Sequence, residues 1–400
     1  MNDLRQSNRI FIVPIVFFLV IGIIVMTAII PMIKMEPNDV PVGLLVQDEG
    51  EFGQNISSVL PENVPDLLDL KVYETEAALN DALNNKEILG ALQFPSNFSE
   101  NIASFMTDVP EQPTVTILVN EGANTMASTM MEKALTNIVE AVNTQVSIQM
   151  LKTISEQTEN MKESMSLPLD ILGENNPLNE MMDLISPIQP ENVSLIANPI
   201  SHEIVKVNET GDLGNSPMAF MTIVWIGSIV GAVILFLAGR NKVFESKKEK
   251  LAFNTIQFIM PFIYGIAGGY IFTLYSMWVL DFTFDSLNLV ALYIGLTMVS
   301  FTLLIFATMR WLGLFSVFIY ILLMLFSMPA AQLSIHMVSP FYRDYLYSWL
   351  PIRIFVDGLR EILFFSQNFI NEYSVILIWI LVISLAVMWI KNLVEKVEVK

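Results

Sequence analysis

Cysteine is absent from the chain, so disulfides, thiolate catalysis and cysteine-ligated metals are excluded outright. Histidine is almost absent: His202 and His336 are the only two, too few for a histidine-rich metal site. Charge is scarce, at 15% of 400 residues, whereas soluble domains average about 25%. No G-x-x-x-x-G-K-[ST] loop occurs, so this chain carries no Walker A cradle for nucleotide phosphates. ATP-driven work would need a separate polypeptide. No nucleophile, base and orienting group can be assembled by spacing around Ser201 and His202, so no catalytic residues, metal or cofactor of its own are expected.

What remains is strongly apolar: 53% hydrophobic residues and a mean hydropathy of +0.55. Six uncharged runs are long enough to cross a bilayer, which takes about 20 apolar residues. They are Ile10–Ile33, Leu213–Gly239, Leu251–Leu280, Ser286–Met309, Trp311–Ile335 and Tyr373–Ile390. None contains a carboxylate, which disfavours coupling to an ion gradient. Arg5 and Arg9 precede the first run as they would in a signal peptide. Its apolar core is too long for one, however, and no A-x-A-like cleavage site follows, so a retained helix is expected.

The charge is segregated. Between Lys34 and Pro217 there are 29 acidic and 7 basic residues, a net of −22; the other residues hold 11 and 14, a net of +3. An acidic module of this kind repels phosphate backbones, so nucleic acid is excluded as a partner. Lys and Arg placement sets the orientation. With both termini cytoplasmic, eleven basic residues fall in inside segments, none in 281–285 and three in 336–372. Residues 34–216 are then extracytoplasmic, and the absence of cysteine suits a bacterial plasma membrane protein.

Within that module, strands are expected at "PVGLLVQDEG", "LKVYE", "ILGALQFP" and "TVTILVN", alternating with the helical stretches "FGQNISSVL", "TEAALNDALNNKE" and "SNFSENIASFM". Thr75 reads as an N-cap, with Ala78, Leu79, Ala82 and Leu83 on one face. Residues 124–165 lack Gly and Pro. They carry Met130, Met131, Ala134, Leu135, Ile138, Val139, Val142, Val146 and Leu151 at helical spacing, which predicts one long amphipathic helix. Residues 166–216 read as an irregular return to the membrane.

Three segments outside the spans hold candidate sites. The loop 239–255 is the most charged cytoplasmic piece. It is either positive-inside anchoring or a docking element for a cytoplasmic partner. Asp281 and Asp285, four apart beyond the third span, are either loop charges at a water boundary or an outer entry site. The segment 336–372 is too apolar for an aqueous loop and too broken by Pro340, Pro351 and its charges for a span. It reads as a re-entrant hairpin, or as a helix lying flat at the surface. In "FVDGLRE", Asp357 sits three before Arg360 and four before Glu361, a spacing that shares one helical face. Gly227-x-x-x-Gly231 and Gly265-x-x-x-Gly269 permit close helix approach.

The layout and the stretches "VGLLVQDEG", "LGALQFPSNFSENI" and "LPIRIFVDGLREILF" resemble the permease subunits of ABC-2-type ABC exporters. The similarity is strongest to the YhgE/Pip-like (phage infection protein-like) branch, with a large extracytoplasmic domain after the first helix. The fold it implies is a membrane all-α six-helix permease with an inserted extracytoplasmic α/β domain containing a long helix. Membrane helices are expected at 10–33, 217–239, 255–280, 286–309, 311–335 and 373–390. The resemblance also implies a second permease subunit, homo- or heterodimeric, and a cytoplasmic ABC ATPase that supplies ATP and magnesium. Residues 240–254, with Phe244, Glu245, Lys247 and Lys248, take the place of the ATPase-coupling helix. Residues 336–372, with Pro351, Asp357, Gly358, Arg360 and Glu361, take the place of a re-entrant gate. The expected cargo is amphipathic, lipid-like or peptidic. The alternative is a non-transporting surface scaffold or receptor whose domain binds a partner.

Overall fold

The computed structural model describes residues 19–107, 109–169 and 193–394. Expectations for Arg5, Arg9, residues 10–18, residues 170–192 of the return 166–216, Lys396 and Lys400 lie outside the described residues. The chain divides into two compact units: Asn38–Glu121 with Ala127–Val207, and Met1–Pro37 with Gly122–Met126 and Asn208–Lys400.

The first unit is built on a five-stranded mixed sheet of order β2-β1-β3-β4-β5. In chain order it runs β1 (Val40–Val46), α2 (Glu51–Asn63), β2 (Leu68–Tyr73), α3 (Glu76–Asn84), β3 (Gly90–Phe94), α4 (Phe98–Ser104), β4 (Thr114–Asn120), α5 (Thr125–Leu169), α6 (Val193–Ala197) and β5 (Ser201–Val207); α1 belongs to the other unit. β1 pairs in parallel with β2 and β3, β3 antiparallel with β4, and β4 in parallel with β5. The two crossovers leave β1 and return to β3 in opposite directions across the sheet, which puts their helices on opposite faces. Gly43 marks the α3 face, where an added Cβ would sit 2.6 Å from Leu79 Cδ1. Gly90 marks the other, where it would sit 2.6 Å from Met131 Cγ of α5. Leu45, Leu79, Leu83, Ile88 and Ala91 fill the α3 side.

Between residues 38 and 165 each expected helix and strand is present. Thr75 Oγ1 accepts from Ala78 N at 3.2 Å, so α3 starts at its cap. Leu79, Ala82 and Leu83 are buried, while Ala78 turns outward. In α5 the buried stripe runs Met131, Leu135, Ile138, Val139, Val146, Met150 and Ile154. Leu151 is exposed, because the four-residue steps from Val146 select Met150 and Ile154. The return is not wholly irregular: β5 lies within it. Its residues are almost all exposed, and "SHEIVKV" shows no alternation of apolar and polar residues, so no strand period betrays it.

The second unit is helical. An apolar helix α1 spans Leu19–Ile33, the described part of the expected first span. Among the described residues, five further helices are long and apolar enough to cross a membrane: α7 (Ser216–Arg240), α8 (Lys247–Val279), α9 (Leu287–Leu312), α10 (Phe315–Gln332) and α13 (Glu372–Val394). Between the last two lie α11 (Pro340–Tyr345) and α12 (Pro351–Phe364). The expected boundary at Met309–Trp311 falls at Gly313 instead. Its φ of +66° ends α9 in the left-handed conformation that glycine tolerates, with Gly313 N donating to Met309 O at 2.8 Å.

Helix α9 is the centre of this unit and packs against α7, α8, α10 and α13. Val290, Tyr293, Ile294, Met298, Phe301 and Phe306 are all buried. Backbone meets backbone at α8: a Cβ on Gly269 would lie 2.9 Å from Gly295 Cα. On α7, Trp225 is buried, stands edge-on to Phe301 at 5.0 Å and donates its Nε1–H to Tyr320 O at 3.1 Å. The outward faces are hydrocarbon. Ile263, Ile271 and Trp278 of α8, and Trp379 and Ile383 of α13, are exposed, as a lipid-facing surface requires.

Candidate functional site

Pro351 opens α12 at a position where its missing N–H costs nothing and its fixed φ suits the first turn. The helix then buries Ile352, Ile354, Phe355, Val356, Gly358, Leu359 and Ile362. That leaves Arg353, Asp357 and Arg360 half-buried on one stripe. Arg353 Nε donates to Asp357 Oδ2 at 2.8 Å, and Arg360 Nη1 to Asp357 Oδ1 at 3.3 Å. Asp357 therefore bridges two guanidiniums. The side chains of Arg353, Asp357 and Arg360 are only 21%, 14% and 11% exposed, so the ion pairs are largely withdrawn from water. The expected pairing of Asp357 with Arg360 is present. The stronger bond goes to Arg353, one helical turn before Asp357, on the same i,i+4 logic.

The cluster also serves the end of α10. The last carbonyls of a helix have no intrahelical partner and carry its negative pole. Arg360 Nη2 donates to Ala331 O at 2.9 Å. Tyr347 Oη donates to Leu333 O at 3.4 Å, Asn124 Nδ2 to Gln332 O at 2.9 Å, and Tyr342 Oη to Phe326 O beside the helix-interior Pro329. The Arg353 guanidinium sits 4.5 Å from the Tyr347 ring centroid, a cation–π arrangement. Three charges in an apolar segment are thus held by one another and by a helix end. Gly358 has a separate purpose: a Cβ there would lie 2.6 Å from Tyr373 Cβ and would also collide with Tyr293 Oη. Tyr293 Oη donates to Ile354 O at 3.2 Å, which fixes α12 against α9. Sequence spacing grouped Asp357, Arg360 and Glu361, whereas Gly358 entered only with the resemblance. Tyr293 and Ala331 are remote in sequence and leave no local signal, while Tyr347, shortly before Arg353, sits in a separate turn that helical spacing does not register. Glu361 follows Arg360 on the same helix, half-buried.

The connection between α7 and α8 is shaped rather than loose. Ser246 Oγ accepts from Glu249 N at 3.2 Å, and Glu249 Oε2 accepts from Glu245 N at 3.0 Å, a capping arrangement that starts α8 at Lys247. Lys242 Nζ lies 4.5 Å from the Phe253 ring, 5.6 Å from the Phe244 ring and 3.7 Å from Glu249 Oε1. Phe244 and Phe253 pack at 5.5 Å. Residues 247–254 form the first turns of the 33-residue α8 rather than a separate short helix. Nothing between the Ser246 cap and Pro261 breaks the helix. Glu245, Lys247 and Lys248 are exposed, as is Leu251.

The two acidic loop residues part company. Asp285 lines a cavity of about 410 Å³ together with Glu209, Leu289, Ile362 and Gln367. Asp281 is exposed at a φ of +55° and does not line it. In the α/β unit, the crevice at the carboxyl ends of β1 and β3 is where doubly wound sheets take ligands. Here the chain occupies it: Asp48 Oδ2 accepts from Gly53 N at 2.9 Å and from Ser99 Oγ. Among the described residues, no group of three or more His, Asp or Glu is placed to hold a metal.

Among the described residues, five helices long and apolar enough to cross a membrane, with a charged helical segment between the last two and a separate mixed-sheet unit, mark a membrane-embedded protein. Residues 10–385 match the family model described as "Protein of unknown function (DUF3533)", and the chain belongs to that family. No curated protein and no solved structure matches it.

Proposed function

We propose that the chain is the permease subunit of an ABC-2-type ABC exporter, moving an amphipathic, lipid-like or peptide cargo with energy from a separate cytoplasmic ATPase. The observation that carries this reading is the α7–α8 connection. A capped helix start, an aromatic–lysine cluster and the exposed Lys247, Lys248 and Leu251 bring basic and apolar groups together on one surface, suited to docking a soluble partner. The missing Walker A loop makes such a partner necessary if ATP drives the work. In this reading the connection and both termini face the cytoplasm, the α/β unit is extracytoplasmic, and a second permease subunit completes the path. Asp357, with Arg353 and Arg360, ties α12 to the end of α10 as an outer gate, and the Asp285 cavity is the outer entry.

The test is recovery of the partner. Affinity-tagged protein carrying Lys247→Glu and Lys248→Glu should pull down a nucleotide-binding chain at least severalfold less well than the unaltered protein. Equal recovery would remove the docking assignment, and recovery of no ATPase by either form would favour the scaffold reading.

A further inference from the structure

The α/β unit holds a cleft of about 660 Å³ between α2 and the first half of α5. That volume falls within the roughly 300–1,000 Å³ of small-molecule sites. Its walls are hydrocarbon: Ile56 and Leu60 from α2, Leu68 at the start of β2, and Ile138, Val142 and Val146 from α5. Its rim is polar. Asn55, Asn137 and Gln145 are exposed there, and their side-chain amides make no hydrogen bond among the described residues. At one end Gln149 Nε2 donates to Glu51 Oε1 at 3.4 Å, which places a carboxylate beside the opening.

Among the described residues no lining residue is charged, although Lys34–Pro217 carries a net charge of −22. A charged group entering the interior would find nothing to pair with and would lose its hydration. An apolar chain loses nothing and gains burial. Outside the opening the sign of the field decides: an acidic surface repels anions and concentrates cations.

We propose that this cleft binds a single-chain amphiphile with a cationic head, its alkyl chain lying along Ile56, Leu60, Ile138 and Val142 and its head among Asn55, Asn137 and Gln145 toward the Glu51 carboxylate. The site needs neither ATP nor a partner subunit, so the inference goes beyond the export reading and stands or falls separately from it.

Because the chain has no cysteine, Ile148→Cys, at an exposed position beside the cleft and outside its lining, gives a single attachment point for a polarity-sensitive fluorophore on the full chain in lipid nanodiscs. Titration with decyltrimethylammonium, below its micelle concentration, should give a saturable blue shift. Decanoate, with the same chain length and opposite sign, should bind at least tenfold more weakly. Adding Ala141→Trp, which fills the cleft from an exposed position, should abolish the shift. Ala134→Leu, a smaller filler, should weaken binding severalfold and covers the case in which the larger substitution unfolds the domain. The proposal is overturned by a shift that never saturates, by decanoate binding as tightly as the cation, or by binding that survives both fillers. Saturation by an amphipathic peptide or by a second copy of the chain, with the amphiphile inert, would assign the cleft to a protein occupant and overturn it equally.

Discussion

Asp357→Ala removes the one carboxylate that holds two guanidiniums, Arg353 at 2.8 Å and Arg360 at 3.3 Å. With all three side chains at most 21% exposed, water compensates little for the loss. Breaking a buried pair by deleting one partner costs about 3–5 kcal/mol. Arg360 keeps Ala331 O and Arg353 keeps the Tyr347 ring, which puts the expected cost near the lower figure, about 3 kcal/mol. For a unit of this size that corresponds to roughly 6–12 °C in Tm. The assay is intrinsic tryptophan fluorescence during heating in one detergent. All six tryptophans, from Trp225 to Trp389, lie in the helical unit, so the signal reports that unit alone. A second variant separates architecture from function. Arg353→Leu with Asp357→Met and Arg360→Leu replaces the three paired charges by apolar side chains of similar size, and its stability should return to within about 1 kcal/mol of wild type. If the cluster is the gate, export remains lost in this variant. A wild-type Tm for Asp357→Ala would refute the energetic argument, and full export by the apolar triple variant would refute the gate.

Other outcomes follow from the packing. Gly269→Ala forces α8 away from Gly295 and should lower the stability of the helical unit by about 1–3 kcal/mol, whereas Gly22→Ala, whose Cβ meets nothing within 4 Å, should not lower it; paired melting curves compare them directly. Asp48→Ala strips the acceptor from Gly53 N and Ser99 Oγ at the start of α2 and should destabilise the α/β unit by about 1–2 kcal/mol, read as earlier amide exchange in 50–60. Tyr293→Phe loses the hydroxyl that bonds Ile354 O. It should cost about 1 kcal/mol alone but reduce the penalty of Gly358→Ala, because the Oη that collides with the new Cβ is gone; a double-mutant cycle measures the coupling.

Much of this architecture is legible in local pattern. Uncharged runs mark the spans because a bilayer admits little else, and the alternation of "TVTILVN" with its helical neighbours marks β4 to the residue. What escapes is whatever depends on distant partners. β5 is held by its ladder to β4 rather than by burying a face, so it looks like coil. The i,i+3 spacing of Asp357 and Arg360 was readable, but the Tyr347 ring and the carbonyls of α10 that complete the cluster were not. The α7–α8 connection was recognisable as charged, whereas its order comes from Lys242 lying between Phe244 and Phe253, an arrangement that exists only after α8 has formed.

The claim on which the account turns is that a nucleotide-hydrolysing subunit works this polypeptide from the cytoplasmic side. Purifying the unaltered protein from its native membranes in mild detergent, then identifying and assaying the chains that travel with it, tests that claim most directly. The account predicts a stoichiometric companion bearing a Walker A loop and ATP hydrolysis by the pair. Protein that hydrolyses no ATP and brings no such companion, even after cross-linking in the intact membrane, would contradict it.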